Sequence, residues 1–483
     1  MLKRFIAVFL VCVFLFGASA CKKSDNGETG ESSTSSFDGE ETESEETGSE
    51  GESSDTVDSG ASSKSSEVSS KKPPTGKEKR MVWWLPDVGV VDETASLMEK
   101  ALDEFEKKTG IGVDLYIHAA TGGSLTPFDS KFIPAMSAGN GPDITSFNYI
   151  NPNYAMDITN SFDNAFWDQF FVSVKDSLKL NGKYYSTPGE LSVSGLLTYS
   201  KVDFKNAGLD PNSPPTTIAQ LDEFAEKLYL PKGDKYTQVG FQPWDWLMLE
   251  YPILMVKPFG GSWVNAEGYP TANAAGNVAA LEWVKKYTNK YGYAKVNDSL
   301  SGLKNEKNDY GHALAMKLDF GAGINAMATN NYKSNEWGIT VFPGASSGQN
   351  GLSLGLSAGY SAVKNCKNPQ AATEFLKFMA TDYQTDYYVK NYKVYRAYSC
   401  NQAAWKKHLK SMDEFTVMLY NQVLSKSTAK DFGNQITLTK YSAPANYDAL
   451  IKASLTKIIT GKAEVKAELD ALQNKVVAQT KTN

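Results

Sequence analysis

The stretch MVWWLPDVGVVDETASLMEKALDEFEKKTGIGVDLYI, residues 81–117, decides the fold class. Met81, Val82, Trp83 and Trp84 have the texture of a buried strand, and residues 86–91 read as the loop that leaves it. Asp92 caps a helix whose Leu97, Met98, Ala101, Leu102 and Phe105 share one 3.6-residue face, and Gly110 closes it. Val113, Leu115 and Ile117 then alternate as a second strand. A second helix carries Phe132, Ile133, Ala135 and Met136, ends in Gly139-Asn140-Gly141-Pro142, and leads into a short strand over 143–147. Strand and helix in alternation specify a parallel sheet covered by helices, so the fold class is α/β.

The same grammar continues toward the C-terminus. Residues 195–199 are apolar enough for a strand, and Thr217 precedes a helix with Ile218, Leu221, Phe224, Ala225 and Leu228 inward. Residues 278–287 form a helix burying Leu281 and Val284. Asn368-Pro369 is an N-cap with proline at the first helical position, opening a helix with Ala372, Phe375, Leu376 and Met379.

Toward the N-terminus the texture breaks at Lys79-Arg80. Residues 22–80 hold 15 acidic and 8 basic side chains with almost nothing apolar, so nothing offsets the entropy of ordering them and the segment reads as a disordered linker. Without it and the first 21 residues, 40 acidic and 39 basic residues remain, so the acidity belongs to the tail and a basic nucleic-acid binder is excluded. A flexible chain of this length spans roughly 40 Å. Residues 1–21 read as a secretory signal: Lys3 and Arg4 precede an apolar run over 5–16, too short to cross a bilayer comfortably. Ala18, Ser19 and Ala20 run into Cys21, which fits ordinary signal cleavage and also resembles the bacterial lipobox. The polar tether behind Cys21 favours lipidation there, and two acyl signals give stable anchoring.

Motifs for catalysis are weak. His118, His312 and His408 are far apart and lack a second metal-type ligand at helical spacing, so no metal site is expected. Gly344-Ala345-Ser346-Ser347-Gly348 matches G-x-S-x-G, but the residues after it are Gly-rich and strand-like, so a surface turn is expected rather than a nucleophile elbow. No phosphate loop or dinucleotide fingerprint occurs, and no cofactor is implied. Cys366 and Cys400 remain once the signal, with Cys12, and Cys21 are set aside, and the sequence leaves open whether they form a disulfide or stay as separate thiols.

Asn181-Gly182-Lys183-Tyr184-Tyr185-Ser186-Thr187-Pro188, then Leu196-Leu197-Thr198-Tyr199-Ser200-Lys201 and Phe204-Lys205-Asn206-Ala207-Gly208-Leu209-Asp210, form an ordered pattern. Gly260-Gly261, Ala326-Met327-Ala328-Thr329-Asn330, Gly338-Ile339-Thr340-Val341-Phe342-Pro343-Gly344 and Asn368-Pro369-Gln370-Ala371-Ala372 extend it. In order and spacing this resembles the extracellular solute-binding proteins of carbohydrate ABC transporters, the family that includes maltose-binding protein.

The resemblance implies a two-lobe, type II periplasmic-binding-protein-like fold with parallel-sheet lobes joined by hinge strands. Crossings are expected near 190–195, 352–356 and 394–400, dividing the chain into 81–190 with 356–395 and 195–352 with 400–483. It further implies a monomeric, non-enzymatic receptor, lipid-anchored at the extracellular face of the cell membrane, that delivers a carbohydrate to ABC permease subunits. A surface-anchored carbohydrate-active enzyme and a ligand-sensing subunit for a membrane kinase stand as alternatives.

Sugars present apolar C–H faces and a rim of hydroxyls, so their sites pair aromatic platforms with carboxylate or amide groups. Such residues belong in loops at the carboxyl ends of strands. Trp84 and Asp87 follow the first strand, with a core role for Trp84 equally open. Trp244, Asp245 and Trp246 alternate so that both rings share a side if extended, and Trp263 lies beside Gly260-Gly261. From the resemblance come Phe147 and Asn148 after the 143–147 strand, and Glu190 at the first crossing, where a hinge salt bridge is its rival role. From it also come Asn331 and Tyr332, which replace the family's Gly-Pro-Trp after Asn330, and Tyr360.

Overall fold

The computed structural model describes residues 79–87, 92–119, 126–146, 153–180, 182–265, 268–304, 310–395, 398–428, 431 and 446–480. Strands β1 (Lys79–Asp87), β2 (Ile111–Ala119) and β3 (Ile144–Ser146) alternate with helices α1 (Asp92–Thr109) and α2 (Thr126–Ser137). Then come β4 (Thr187–Ser200), α3 (Ile218–Leu228), α4 (Trp246–Glu250), α5 (Ala275–Tyr287), β5 (Met316–Phe320), α6 (Gly321–Thr329), β6 (Trp337–Val341) and β7 (Ser353–Ala362). The chain continues with α7 (Pro369–Ala380), β8 (Tyr398–Ser399), α8 (Gln402–His408), α9 (Glu414–Gln422), α10 (Tyr447–Ile459) and α11 (Val465–Thr480).

Local signals place the element ends. Thr217 accepts the Gln220 amide to cap α3, and Asn368 accepts the Ala371 amide to cap α7, with Pro369 next. Gly110 adopts φ +70 after α1, a left-handed stop that only glycine takes without cost.

The strand order is β2-β1-β3-β7-β4-β6, and β5 and β8 also pair with β4. Strands β1, β2 and β3 run parallel, as the alternation with helices requires. The remaining pairings are antiparallel, so the sheet is mixed where parallel lobes were expected. The cause is β4 and β7, which run in opposite directions side by side between the two halves.

Strand β4 belongs to both halves. Its first part pairs with β7 from Thr187 to Ser194 and with β8 at Glu190 and Leu191; its second part lies between β5 and β6. Sequence patterning sees only 195–199 as strand, because Pro188, Gly189 and Glu190 carry turn chemistry that pairing with β7 overrides. The register shifts at Gly195, whose φ is +73 and where a Cβ would sit 1.8 Å from the Gly351 carbonyl oxygen. Glycine is required at this bulge.

Two hydrophobic cores flank the shared strands. One gathers Trp83, Phe105, Phe128, Phe132, Phe375 and Trp405; the other gathers Phe204, Leu221, Phe241, Trp263, Leu281 and Tyr447. The cores depart from the division drawn from sequence: Trp405, Phe415, Leu419 and Tyr420 of 400–483, and Ile324, Met327, Trp337 and Ile339 of 195–352, all given to the second half, pack into the first core. Trp405 stacks between Tyr398 and Tyr420, and α9 packs on α6 and β6, whose own apolar faces turn to the first core. Helices α10 and α11 stay with the second core.

Cys366 and Cys400 are buried, free thiols, and burial raises both pKa values. Residues 345–348, after the buried Gly344, form an exposed turn between β6 and β7 with no helix behind the serine, so no nucleophile elbow exists there. Among the described residues, no helix is long and apolar enough to cross a membrane. The expected signal, Cys21 and the linker lie outside the described residues.

Candidate functional site

Strand direction locates the site. Tyr360 of β7 pairs with both Ser146, the last residue of β3, and Thr187, the first of β4. From that level β4 runs on through Glu190 into the second half, parallel to β1 and β3. The carboxyl ends of β1, β2 and β3 therefore point toward the second half. In that half β5 ends with Phe320 opposite Ser194, and β6 ends with Val341 opposite Leu196. Their carboxyl ends point back. Ligands of α/β sheets bind beyond strand carboxyl ends, and here both sets meet at residues 190–194 of β4.

The first half supplies a half-buried aromatic group and a carboxylate. Trp83 and Trp84 face opposite sides of β1, as neighbours in a strand must. Trp83 is fully buried against Tyr360 and Phe375, and its Nε1 donates to Ser146 Oγ at 2.8 Å. Trp84 is half-buried, edge-on to the His118 ring at 4.4 Å and to Phe128 at 6.5 Å. Burial, then the charge of Lys131, lowers the His118 pKa.

Glu190 accepts the Tyr388 hydroxyl at 2.5 Å. Tyr388 packs on Tyr395, whose hydroxyl meets that of Tyr383 at 2.9 Å. Burial first, and the Glu190 carboxylate second, hold the Tyr388 hydroxyl well above the usual phenol range, so it remains a donor. The carboxylate bonds a tyrosine rather than a hinge cation in this contact.

The second half supplies open rings. Trp246, first residue of α4, is 56% exposed and sits edge-on to the half-buried Phe320 at 5.7 Å. Asp245 accepts the Met248 amide at 3.0 Å and caps α4. A tryptophan this exposed beside a second ring is unusual for a residue whose burial contributes so much, and it presents a flat apolar surface at the seam.

The other expected positions fall elsewhere. Trp244 is buried in the second core, with Nε1 donating to Asn297 at 3.0 Å, so the triplet does not place both rings on one open side. The capping turn at Asp245, not an extended run, separates them. Trp263 has no exposure and cannot stack on a solute. Asn331 and Tyr332 follow α6: Asn331 takes φ 61, and Tyr332 packs on Trp337 at 5.2 Å. Ala326 to Thr329 are the last turn of α6, and Asn330 is its C-cap. Tyr360 is buried against Trp83. Asp87 ends β1, while Phe147 and Asn148 lie outside the described residues.

Phe320, His118 and Tyr388 escaped the sequence reading. The alternation of Met316, Leu318 and Phe320 with Lys317 and Asp319 was the available signal for β5, but it says nothing of what the end of that strand faces. Tyr388 sits in an irregular helical turn over Gln384–Tyr388 whose contact with Glu190 spans the chain. Among the described residues, no group of three metal-type ligands occurs. The geometry can hold and orient a solute through rings and a carboxylate.

The model of the bacterial extracellular solute-binding protein family matches residues 90–385. Among solved structures, CpMnBP1 with mannotriose bound gives a TM-score of 0.60 at 23% identity, covering 82% of this chain and 100% of that one. A cyclo/maltodextrin-binding protein complexed with maltotetraose gives 0.61 at 16% identity, over 84% and 98%. The maltose/maltodextrin-binding domain from Bdellovibrio bacteriovorus bound to maltotriose gives 0.53 at 16%, over 83% and 100%. No curated protein matches in sequence. Identities this low carry the two-lobe fold, while the family match spans more than half of the chain. The chain therefore belongs to the bacterial extracellular solute-binding protein family, and it is a binding protein rather than an enzyme.

Proposed function

We propose that this protein captures a carbohydrate, an oligosaccharide in particular, at the seam between its halves and presents the closed form to an ABC permease. The observation that carries the reading is the exposed Trp246 set edge-on to the half-buried Phe320 on one side of the seam, with Trp84 and Glu190 on the other. Rings take the C–H faces of a sugar, and a carboxylate accepts its hydroxyls. That CpMnBP1 is solved with mannotriose, and others with maltotriose and maltotetraose, supports an oligosaccharide as the class to test first.

Closure follows if the solute touches both halves, because only differential affinity moves an open–closed equilibrium. A micromolar ligand supplies about 8 kcal/mol, ample for a shift of a few kcal/mol. Lipidation at Cys21, with residues 22–80 as tether, keeps the receptor at the extracellular face of the membrane.

Calorimetric titration against a panel of manno- and gluco-oligosaccharides tests the ligand class, with saturable heat for at least one member expected. Silence across the panel would move the reading to another solute. The anchor predicts a mature N-terminal peptide whose Cys21 carries diacylglycerol, and loss of membrane association in Cys21→Ala; an unmodified Cys21 in mass analysis refutes it.

A further inference from the structure

The two rings of the second wall share one arrangement. Each follows directly on a buried aspartate: Trp246 on Asp245, and Phe320 on Asp319. Asp245 caps the helix that starts at Trp246. Asp319 Oδ1 accepts the Phe320 amide at 2.9 Å, and its Oδ2 accepts the Thr198 hydroxyl at 3.1 Å. Lys317 lies two residues earlier in β5, on the same face, and its Nζ meets Asp319 Oδ2 at 3.1 Å.

The same ammonium reaches Asp245 electrostatically. Burial is the main influence on Asp245 and raises its pKa to about 7; the Met248 amide and Lys317 pull it down, and Asp319 pushes it up. On the other side of α4, Lys452 of α10 pairs with Glu250 and Asp448, so that cation is engaged at the far end of the helix. Two buried carboxylates whose charges act on one another are sustained by the lysine that pairs with Asp319 and whose charge acts on Asp245, since uncompensated buried charge is costly.

We propose that Lys317 is a positioning residue of the ligand site: its cation, lodged against Asp319, holds the turn from which Phe320 presents its ring and, through the Trp246–Phe320 contact, that of Trp246. The inference deepens the carbohydrate reading and rests on it for the identity of the ligand. Without the cation the carboxylates repel, Asp245 takes up a proton, and a neutral carboxyl is the weaker acceptor for the helix amides. Trp246 then loses its fixed orientation.

The test uses the full chain labelled with fluorotryptophan, the Trp246 fluorine signal being assigned by its loss in Trp246→Phe. In the wild type that signal titrates with a midpoint near pH 7. Lys317→Met moves the midpoint up by about one unit or more, Lys317→Arg restores it, and Asp245→Asn abolishes the titration. A Trp246 signal that does not titrate, or a midpoint that Lys317→Met leaves in place, overturns the proposal. For a sugar that binds the wild type, Lys317→Met raises Kd about tenfold, a loss of about 1.4 kcal/mol, and lowers the melting temperature because the buried Asp319 loses its cation; Lys317→Arg restores both, and an unchanged Kd also overturns the proposal. A wild type that binds no sugar contradicts the carbohydrate reading alone, because the fluorine titration still decides the role of Lys317.

Discussion

The two halves build their sides of the seam in opposite ways. The first encloses its chemistry: Glu190 is tied to Tyr388, Tyr360 is buried, and Trp84 is packed against His118. The second leaves its chemistry open, with Trp246 more than half exposed on Phe320. Enclosed groups are oriented before a ligand arrives and lose little entropy on binding. An open ring pair contributes by losing water, so it accounts for affinity without contributing to the fold. Buried and exposed tryptophans of one half should therefore fail differently.

The largest expected effect is on stability. Trp263→Ala empties a fully buried site in the second core and should cost about 3–5 kcal/mol in denaturant unfolding. A loss of less than about 1 kcal/mol would mean that the ring is not core. Trp246→Ala should leave unfolding nearly unchanged and weaken sugar binding by about 2 kcal/mol, some 30-fold in Kd by calorimetry. Equal stability losses in the two variants would erase the contrast between the tryptophans.

On the enclosed side, Tyr388→Phe removes the hydroxyl that Glu190 accepts and leaves the carboxylate in place. Glu190 is only partly buried, so the expected cost is about 1.5 kcal/mol, the lower end for a bond to a charged group. It should show in both unfolding and sugar affinity. An effect on neither would mean that the tyrosine does not orient the carboxylate. The smallest change comes far from the seam: Asn368→Ala removes the cap of α7 and should cost about 1 kcal/mol of stability, with Kd unchanged. A changed Kd would mean that α7 reports to the ligand.

Much of the fold was legible because its signals are local. The run from Trp83 to Ile117 carries its own periodicities, and Thr217 and Asn368 announce helices by capping chemistry confined to three residues. The features that escaped depend on distance along the chain. Strand β4 begins in Pro188-Gly189, and only pairing with β7, more than 150 residues later, makes it a strand. Trp405 and Tyr420 join the first core through contacts with Tyr398 and α6, which no window of sequence contains.

The candidate site was less legible for a related reason. An aromatic residue at a loop reads the same whether it points inward, like Trp263, or outward, like Trp246. Alternation over Trp244, Asp245 and Trp246 assumed an extended chain, whereas Asp245 turns it into a helix. Phe320 could be found only once β5 was set opposite Ser194.

Small-angle X-ray scattering of the full chain, free and saturated with the tightest-binding oligosaccharide of the panel, tests most directly whether a solute held between the halves draws them together. The account predicts a smaller radius of gyration in the bound state, and no such contraction when Trp246→Ala is given the same sugar concentration. An unchanged radius in a wild type shown to be saturated would contradict it.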